Sequence, residues 1–256
     1  MPLFKTEGIV LRTIDFGEAD RIVTFFTRDF GKIKAVVKGV RRTRSRYGSA
    51  VELLSRTQVF LWGKPGRELF RMTQCCIVNS FKNLREDLGK LGAGAYIAEL
   101  IDQLTEPHEK SPEIYHLLLT CLSMLEKEDD FKKIIYLFSV RLITLAGWKF
   151  NLANCSYCKK PVELSGRTGK LHLSGHWGGL LCGSCVSKDR QAIETIPRTV
   201  QHLRYLQRVE IGKFRRLKLS LKEKQELERV LEYFLVCQTG REFKALKFLK
   251  ETVNES

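Results

Sequence analysis

The sequence predicts a multidomain α+β protein. A small five-stranded β-barrel comes first, followed by an α-helical domain that carries a four-cysteine zinc-finger segment. Three observations predict this. Residues 4–81 are a succession of short β-rich runs. From about residue 83 the apolar period lengthens from two to between three and four, the change from strand to helix. Cys155-Ser156-Tyr157-Cys158 and Cys182-Gly183-Ser184-Cys185 are two C-x-x-C turns at metal-ligand spacing. The expected boundaries are 1–82 for the barrel, 83–150 with 191–256 for the helical domain, and 151–190 for the zinc segment.

In the barrel region, Gly8-Ile9-Val10-Leu11-Arg12-Thr13 reads as the first strand, and Arg21–Thr27 as the second after a turn near Gly17. Gly31 opens the third, Lys32–Lys38, where lysines alternate with apolar residues, the pattern of a half-buried strand. Val59–Trp62 and Leu69–Thr73 flank Gly63-Lys64-Pro65-Gly66, a hairpin signal. Five short strands suit a barrel of the oligonucleotide-binding (OB) kind; an SH3-like barrel has a similar pattern.

The first helix is expected to carry Leu84, Leu88, Leu91, Ala95, Ala98 and Ile101 on one stripe. Ser111-Pro112-Glu113 starts another, with Ser as N-cap, Pro in the first turn and an acid at the positive dipole end. Asp129-Asp130 heads a third, which Gly147 ends. Lys170–Leu173 reads as a short strand between the knuckles, and Arg198–Val209 as a helix. Ser220-Leu221-Lys222-Glu223 is a capping box opening a helix toward Cys237, with Gly240 as its stop, and Arg241–Lys250 adds another turn or two.

The 256 residues are 43% hydrophobic and carry 44 Lys and Arg against 29 Asp and Glu, a formal charge of +15. That composition supports a real core and excludes a disordered chain. The charge directs the protein toward polyanions: nucleic acid, an acidic membrane or an acidic partner. Met1–Lys5 lacks the long apolar run that follows the charged start of a signal peptide, and no apolar run approaches the ~18–20 residues of a membrane span. Cys75, Cys76, Cys121 and Cys237 lie in strand- or helix-like patterns, and only four cysteines fall at metal spacing. Free thiols beside a zinc knuckle fit a reducing cytoplasm rather than a disulfide framework.

Four thiolates from Cys155, Cys158, Cys182 and Cys185 fill a tetrahedral shell, so one structural zinc ion is expected, with no open position for water or substrate. His172 and His176 lie between the knuckles and are alternative ligands. Four thiolates suit zinc best, though spacing does not fix the metal.

Charge is unevenly placed. From Gly31 to Ser49 there are seven cations and no acid: Lys32, Lys34, Lys38, Arg41, Arg42, Arg44 and Arg46. The last four crowd into a loop leaving the third strand, suited to a phosphate backbone, with Tyr47 as a stacking face. A second basic stretch, Arg198–Lys224, includes Arg215 and Arg216; solvated helix faces account for it equally well. Residues 99–130 carry nine carboxylates against Lys110 and Lys127.

No phosphate loop, G-x-S-x-G or H-E-x-x-H motif is present. Glu18 and Asp20 are close enough for a divalent metal in a nuclease, but read better as a turn feature. Pro2 resembles the N-terminal nucleophile of formamidopyrimidine-glycosylase-type enzymes, but Leu3 stands where those need an acid. No catalytic residue is assigned.

The ordered set of parts resembles the RecO family of bacterial recombination and repair mediators. The residues that carry the resemblance are Gly8-Ile9-Val10-Leu11-Arg12, Gly17–Val23, Phe26-Thr27, Gly31-Lys32, Lys38–Arg42 with Ser45, Tyr96–Leu100, Arg141–Gly147 and the two cysteine pairs. The resemblance implies an N-terminal OB barrel, a helical body and a zinc segment in a non-enzymatic, cytoplasmic, nucleoid-associated protein. Such a protein binds single- and double-stranded DNA, anneals complementary strands, binds the acidic tail of single-stranded-DNA-binding protein and works with RecR to load RecA. DNA contact is then expected at Lys32, Lys34, Lys38, Arg41, Arg42, Arg44 and Arg46, with Arg215 and Arg216 of second rank. Arg141 is the candidate cation for the acidic tail, with an ion pair to the acidic segment as its competing role. The rival classes are a zinc-containing RNA-binding or transcription factor, and a DNA-processing enzyme.

Overall fold

In the computed structural model, which describes residues 3–42, 45, 47–64, 66–164, 170–214 and 216–254, strand β1 (Leu3–Phe16) is long enough to serve two neighbours. Its first half pairs antiparallel with β4 (Arg56–Trp62), from Leu3↔Trp62 to Ile9↔Arg56. Its second half pairs with β2 (Asp20–Thr27), and the register shifts between Val10 and Arg12. That bulge bends the strand and lets it turn the corner of a barrel. β3 (Gly31–Val37) follows antiparallel to β2. β5 (Phe70–Asn79) pairs antiparallel with β4 and parallel with β3 at Ala35↔Phe70 and Val36↔Arg71. The closed order β1-β2-β3-β5-β4 is that of an OB barrel. A hairpin was expected at Gly63–Gly66; β4 and β5 on either side of it do pair antiparallel, while Pro65 of the turn lies outside the described residues.

The barrel is filled by inward residues of every strand, among them Val10, Val23, Phe25, Ile33, Ala35, Val59, Leu61, Phe70 and Met72. Val40, Ala50 and Val51 join them from the β3–β4 loop, the last two on a 3-10 turn, Ser49–Val51. Each large apolar side chain buried contributes roughly 1.5–3 kcal/mol. Gly31 begins β3 at φ 62°, where a Cβ would lie 2.0 Å from the Glu109 carbonyl oxygen. The close approach seats the 107–109 segment on β3, with the His108 N–H donating to the Lys32 carbonyl at 2.9 Å.

Helices α1 (Lys82–Arg85) and α2 (Leu88–Leu104) are separate. Asp87 caps α2 by accepting from the Lys90 N–H, and this break resets the helical phase. Leu88, expected on the buried stripe, is therefore 62% exposed, while Tyr96, Ile97, Leu100 and Ile101 are buried. α3 (Pro112–Leu125) starts as expected, with the Ser111 hydroxyl accepting from the Ile114 N–H. Glu7 on β1 ties the barrel to α3: its Oε1 accepts from Arg56 Nε at 2.7 Å and Tyr115 Oη at 2.5 Å. Burial works to raise the Glu7 carboxyl, but those hydrogen bonds and the Arg56 charge hold it below its ordinary value.

The chain divides into two compact units, Met1–Ile134 with Phe243–Ser256, and Ile135–Glu242. The division falls within α4 (Phe131–Leu145). The helices expected over 83–150 and 191–256 are thus shared between the units. In the second unit, β6 (Leu171–Ser174), β7 (Gly179–Leu181) and β8 (Ile193–Thr195) form a three-stranded sheet in the order β7-β6-β8. Of these, only β6 was expected. α5 (Pro197–Arg208), α6 (Ile211–Phe214) and α7 (Leu221–Thr239) follow. Both arms of the capping box at Ser220 and Glu223 form, and Gly240 ends α7 at φ 65°. The cysteine segment is fastened to this unit by Phe150, whose ring lies tilted against Phe234 with centroids 4.0 Å apart, and by Arg204, whose guanidinium donates to the Leu152 carbonyl.

The chain returns to the first unit at α8 (Lys244–Asn254), which packs on α2. Glu99 of α2 caps it: its oxygens accept from the Lys244 and Ala245 N–H groups at 3.0 and 2.8 Å, a carboxylate at the positive end of the helix dipole.

Candidate nucleic-acid interface and metal centre

The bulge at Leu11 decides what the outer face of the barrel carries. Beyond it, Thr13 points with the inward Val23, whereas Arg12, Ile14 and Phe16 point outward. Register then lines up rows across the sheet. One row is Arg12, Thr24 and Lys34; the next is Ile14, Ile22, Val36 and Arg71. Phe16 and Ile14 are exposed by 49% and 45%, unusual for side chains of their size. Arg12, Lys34 and Arg71 are exposed and meet no carboxylate among the described residues. An apolar and aromatic row bordered by unpaired cations suits bases stacked between neutralised phosphates. Sequence reasoning missed this face: the bulge inverts the inside–outside phase of β1 beyond Val10, which hides Arg12, Ile14 and Phe16, and only the pairing of β2, β3 and β5 brings Ile22, Val36 and Arg71 into line with them.

The seven cations expected over 32–46 take different roles. Lys34, Lys38 and Arg42 are exposed and without carboxylate partners among the described residues. Lys32 is 8% exposed; its ammonium lies 3.5 Å from Asp102 Oδ1 and donates to the Asp102 carbonyl. It fastens β3 to α2 and is not a surface cation. Arg41 holds the β1–β2 hairpin, with Nε 3.5 Å from Asp15 Oδ2 and Nη1 donating to the Gly17 carbonyl at 3.2 Å. Asp20 accepts from the Gly39 N–H at 2.8 Å, the turn role expected of it. Tyr47 packs against the barrel core and donates to the Thr73 carbonyl, so it is a plug rather than an open stacking face. Arg44 and Arg46 lie outside the described residues.

In the second basic stretch, Arg198 pairs with Glu223 at 3.0 Å and Lys213 with Glu210 at 2.9 Å. Arg216 is exposed, and Arg215 lies outside the described residues. Arg141 donates through Nη2 to the Val209 carbonyl, while its Nε is buried without a partner. Burial lowers its guanidinium below the ordinary arginine value. Within its own unit no described carboxylate pairs with it.

The four cysteines converge. The sulfur atoms of Cys155, Cys158, Cys182 and Cys185 all lie within 4.8 Å of one another, and Cys158 and Cys182 are 3.7 Å apart. A tetrahedron with metal–sulfur bonds of about 2.3 Å has edges of ~3.8 Å, so the residues fit one ion. Burial works to raise the Cys155 thiol, yet the N–H groups of Cys158, Cys182 and Tyr157 together bring it down to about 6. Cys185 is pushed up to about 12, by burial and by the neighbouring sulfurs. Four thiolates cannot share this space without a cation to balance them. His172 and His176 are not members of the cluster.

This combination can be compared with known proteins. The model for the N-terminal part of recombination protein O matches residues 1–81, and that for its C-terminal part matches residues 85–247. The chain belongs to the RecO family. Among curated members, the "DNA repair protein RecO" of Symbiobacterium thermophilum is 32% identical over 250 residues, covering 97% of both chains. The protein of that name from Bacillus pumilus is 31% identical over 253 residues, covering 97% of this chain and 94% of its own. That from Pelotomaculum thermopropionicum is 32% identical over 249 residues, with the same coverage. The family's two parts meet between residues 81 and 85, where the barrel ends and α1 begins. Among the described residues no helix is long and apolar enough to cross a membrane.

Proposed function

We propose that the protein is a non-enzymatic recombination mediator in DNA repair. It binds single- and double-stranded DNA on its barrel, anneals complementary strands, and acts with RecR and single-stranded-DNA-binding protein to load RecA. The observation that carries the DNA-binding step is the barrel's outer face, where unpaired Arg12, Lys34 and Arg71 border Ile14, Ile22, Val36 and Phe16. The relatives' shared name, DNA repair protein RecO, supports the setting.

Mechanistically, duplex formation from two single strands is opposed by phosphate repulsion. Cations that neutralise phosphates release counterions and remove that opposition. Stacking on Phe16 holds bases unpaired and available. Neither step needs a catalytic residue. The surface contacts are assigned to Lys34, Lys38 and Arg42 from the original set, with Arg12 and Arg71 added; Arg44, Arg46, Arg215 and Arg216 are further DNA-binding assignments. Arg141 is assigned to the acidic tail of single-stranded-DNA-binding protein, since its charge lacks a carboxylate partner within its unit. A structural zinc ion on Cys155, Cys158, Cys182 and Cys185 would tie the knuckles together and supply no reaction chemistry.

The test is annealing of two complementary strands coated with single-stranded-DNA-binding protein, with its acidic tail present or removed. Tail-dependent acceleration is the expected result. Salt-sensitive DNA binding without acceleration would overturn the mediator reading and leave a generic nucleic-acid-binding barrel.

A further inference from the structure

Beside the cysteine cluster, the second unit contains a pocket of about 280 Å³ whose lining is polar and carries no carboxylate. Lys149, Lys159 and His176 supply its basic groups, and Trp148 and Trp177 its aromatic surfaces. The Lys149 ammonium and the His176 ring make no hydrogen bond or ion pair among the described residues. Lys159 Nζ donates to the Ser156 carbonyl at 2.7 Å, which fixes it near the pocket with hydrogens to spare. Ser156 also lines the pocket. It is 5% exposed, and its hydroxyl is buried without a partner. A buried hydroxyl left unpaired is unfavourable, and a ligand atom that bonds it removes that cost in the complex. Gln238, whose side-chain amide donates to the Gly175 carbonyl at 2.6 Å, also lines the pocket. Trp177 is exposed by 38%, and its ring is perpendicular to those of Tyr157 and His176 with centroids 5.0 and 5.2 Å away, which holds the part-exposed indole in place.

We propose that this pocket binds a nucleoside monophosphate unit. The phosphate meets Lys149, Lys159 and the Ser156 hydroxyl, and the base lies on the tryptophan surface. The chemistry is specific in two ways. Basic groups without an acid select an anion, and the tryptophan surfaces in the lining select a planar ring over an acidic peptide, whose side chains would gain nothing from stacking. The site lies wholly within the second unit, and its occupancy does not depend on the barrel's reading. The unit can come from a free nucleotide or from the phosphorylated end of a DNA strand.

The experiment uses full-length protein carrying Trp62→Phe, which leaves Trp148 and Trp177 as the only fluorophores of their kind. Quenching is titrated with deoxyadenosine 5′-monophosphate, deoxyadenosine, inorganic phosphate, and one oligonucleotide with and without a 5′-phosphate. The monophosphate is expected to bind at least about tenfold more tightly than deoxyadenosine or phosphate alone. Lys149→Glu and Trp177→Ala, both at exposed positions, should each weaken it about tenfold or more without changing the circular dichroism or bound metal. Equal binding of the free monophosphate and the phosphorylated oligonucleotide assigns a free nucleotide. Preference for the phosphorylated oligonucleotide over both its unphosphorylated form and the free nucleotide assigns a strand end. No saturable quenching by any phosphorylated ligand, or affinities unchanged in both variants, overturns the proposal. A barrel variant, Lys34→Glu with Arg71→Glu, separates the two readings: it should lose DNA binding to the barrel and keep binding of the free monophosphate.

Discussion

Replacing Arg12, Lys34 and Arg71 together by Gln tests the barrel face most directly. All three are exposed and free of carboxylate partners among the described residues, so their loss disturbs no ion pair and leaves the inward core intact. If each neutralises one phosphate of a single strand, each contributes about 0.7 to the slope of log affinity against log salt. The triple variant should therefore lower the slope by ~2. At about 0.1 M salt each lost contact costs ~5-fold, so affinity should fall by roughly 100-fold. Phe16→Ala acts through stacking, worth ~1–3 kcal/mol per base. It should reduce affinity by about 5- to 150-fold while leaving the slope unchanged. The assay is fluorescence anisotropy with a labelled thymidine oligonucleotide across about 50 to 200 mM salt. An unchanged slope in the folded triple variant would refute the assignment of this face, as would a Phe16→Ala change that appears in the slope alone.

Three other perturbations address the scaffold. Cys182→Ser should remove bound metal and lower the melting temperature of the second unit, while barrel DNA affinity stays within about twofold; elemental analysis and calorimetry read both, and a selective loss of DNA affinity in fully folded protein would contradict the fastening role. His202 is 5% exposed, with Glu223 Oε1 at 3.7 Å. Burial lowers its pKa and Arg198 adds to this, while Glu223 partly opposes it; Glu223 is itself held down at about 2 and stays ionised throughout. The folded state thus holds fewer protons than the unfolded one below about pH 6.5, so this contribution is complete above that pH and is lost as the pH falls. His202→Gln should flatten the acid side of a melting-temperature profile between about pH 7.5 and 5; an unchanged profile would remove His202 as the cause. Glu99→Ala removes the acceptor of two N–H groups at the start of α8 and should cost about 1–2 kcal/mol locally, read as faster amide exchange confined to that helix.

What was legible in the sequence shares one property: it is set by neighbours along the chain. The strand opened by Gly31, the Ser111 and Ser220 caps and the cysteine spacing all act within a few residues, and each stands where it was expected. What was illegible is set by residues far away. Lys32 looks like its neighbour Lys34, but Asp102 lies opposite only once α2 has packed. Leu88 fits an apolar stripe drawn through Leu84, but the break capped by Asp87 puts the two on different helices. β7 and β8 are three residues each, too short for a period to emerge, and exist because β6 offers both its edges.

The same distinction changes what net charge says about binding. The formal +15 and the seven cations of 32–46 suggest a steep salt dependence. Lys32 and Arg41 are already committed to Asp102 and Asp15, so a phosphate competing for them must first displace a carboxylate, and the gain largely cancels. Arg12 and Arg71 add to Lys34, Lys38 and Arg42 as cations with nothing to displace. These five alone give a single-strand slope of about 3.5 in magnitude. Steering depends on the total charge, but counterion release depends on which cations remain unpaired, and on this barrel the bulge at Leu11 and the position of Asp102 decide that as much as composition does.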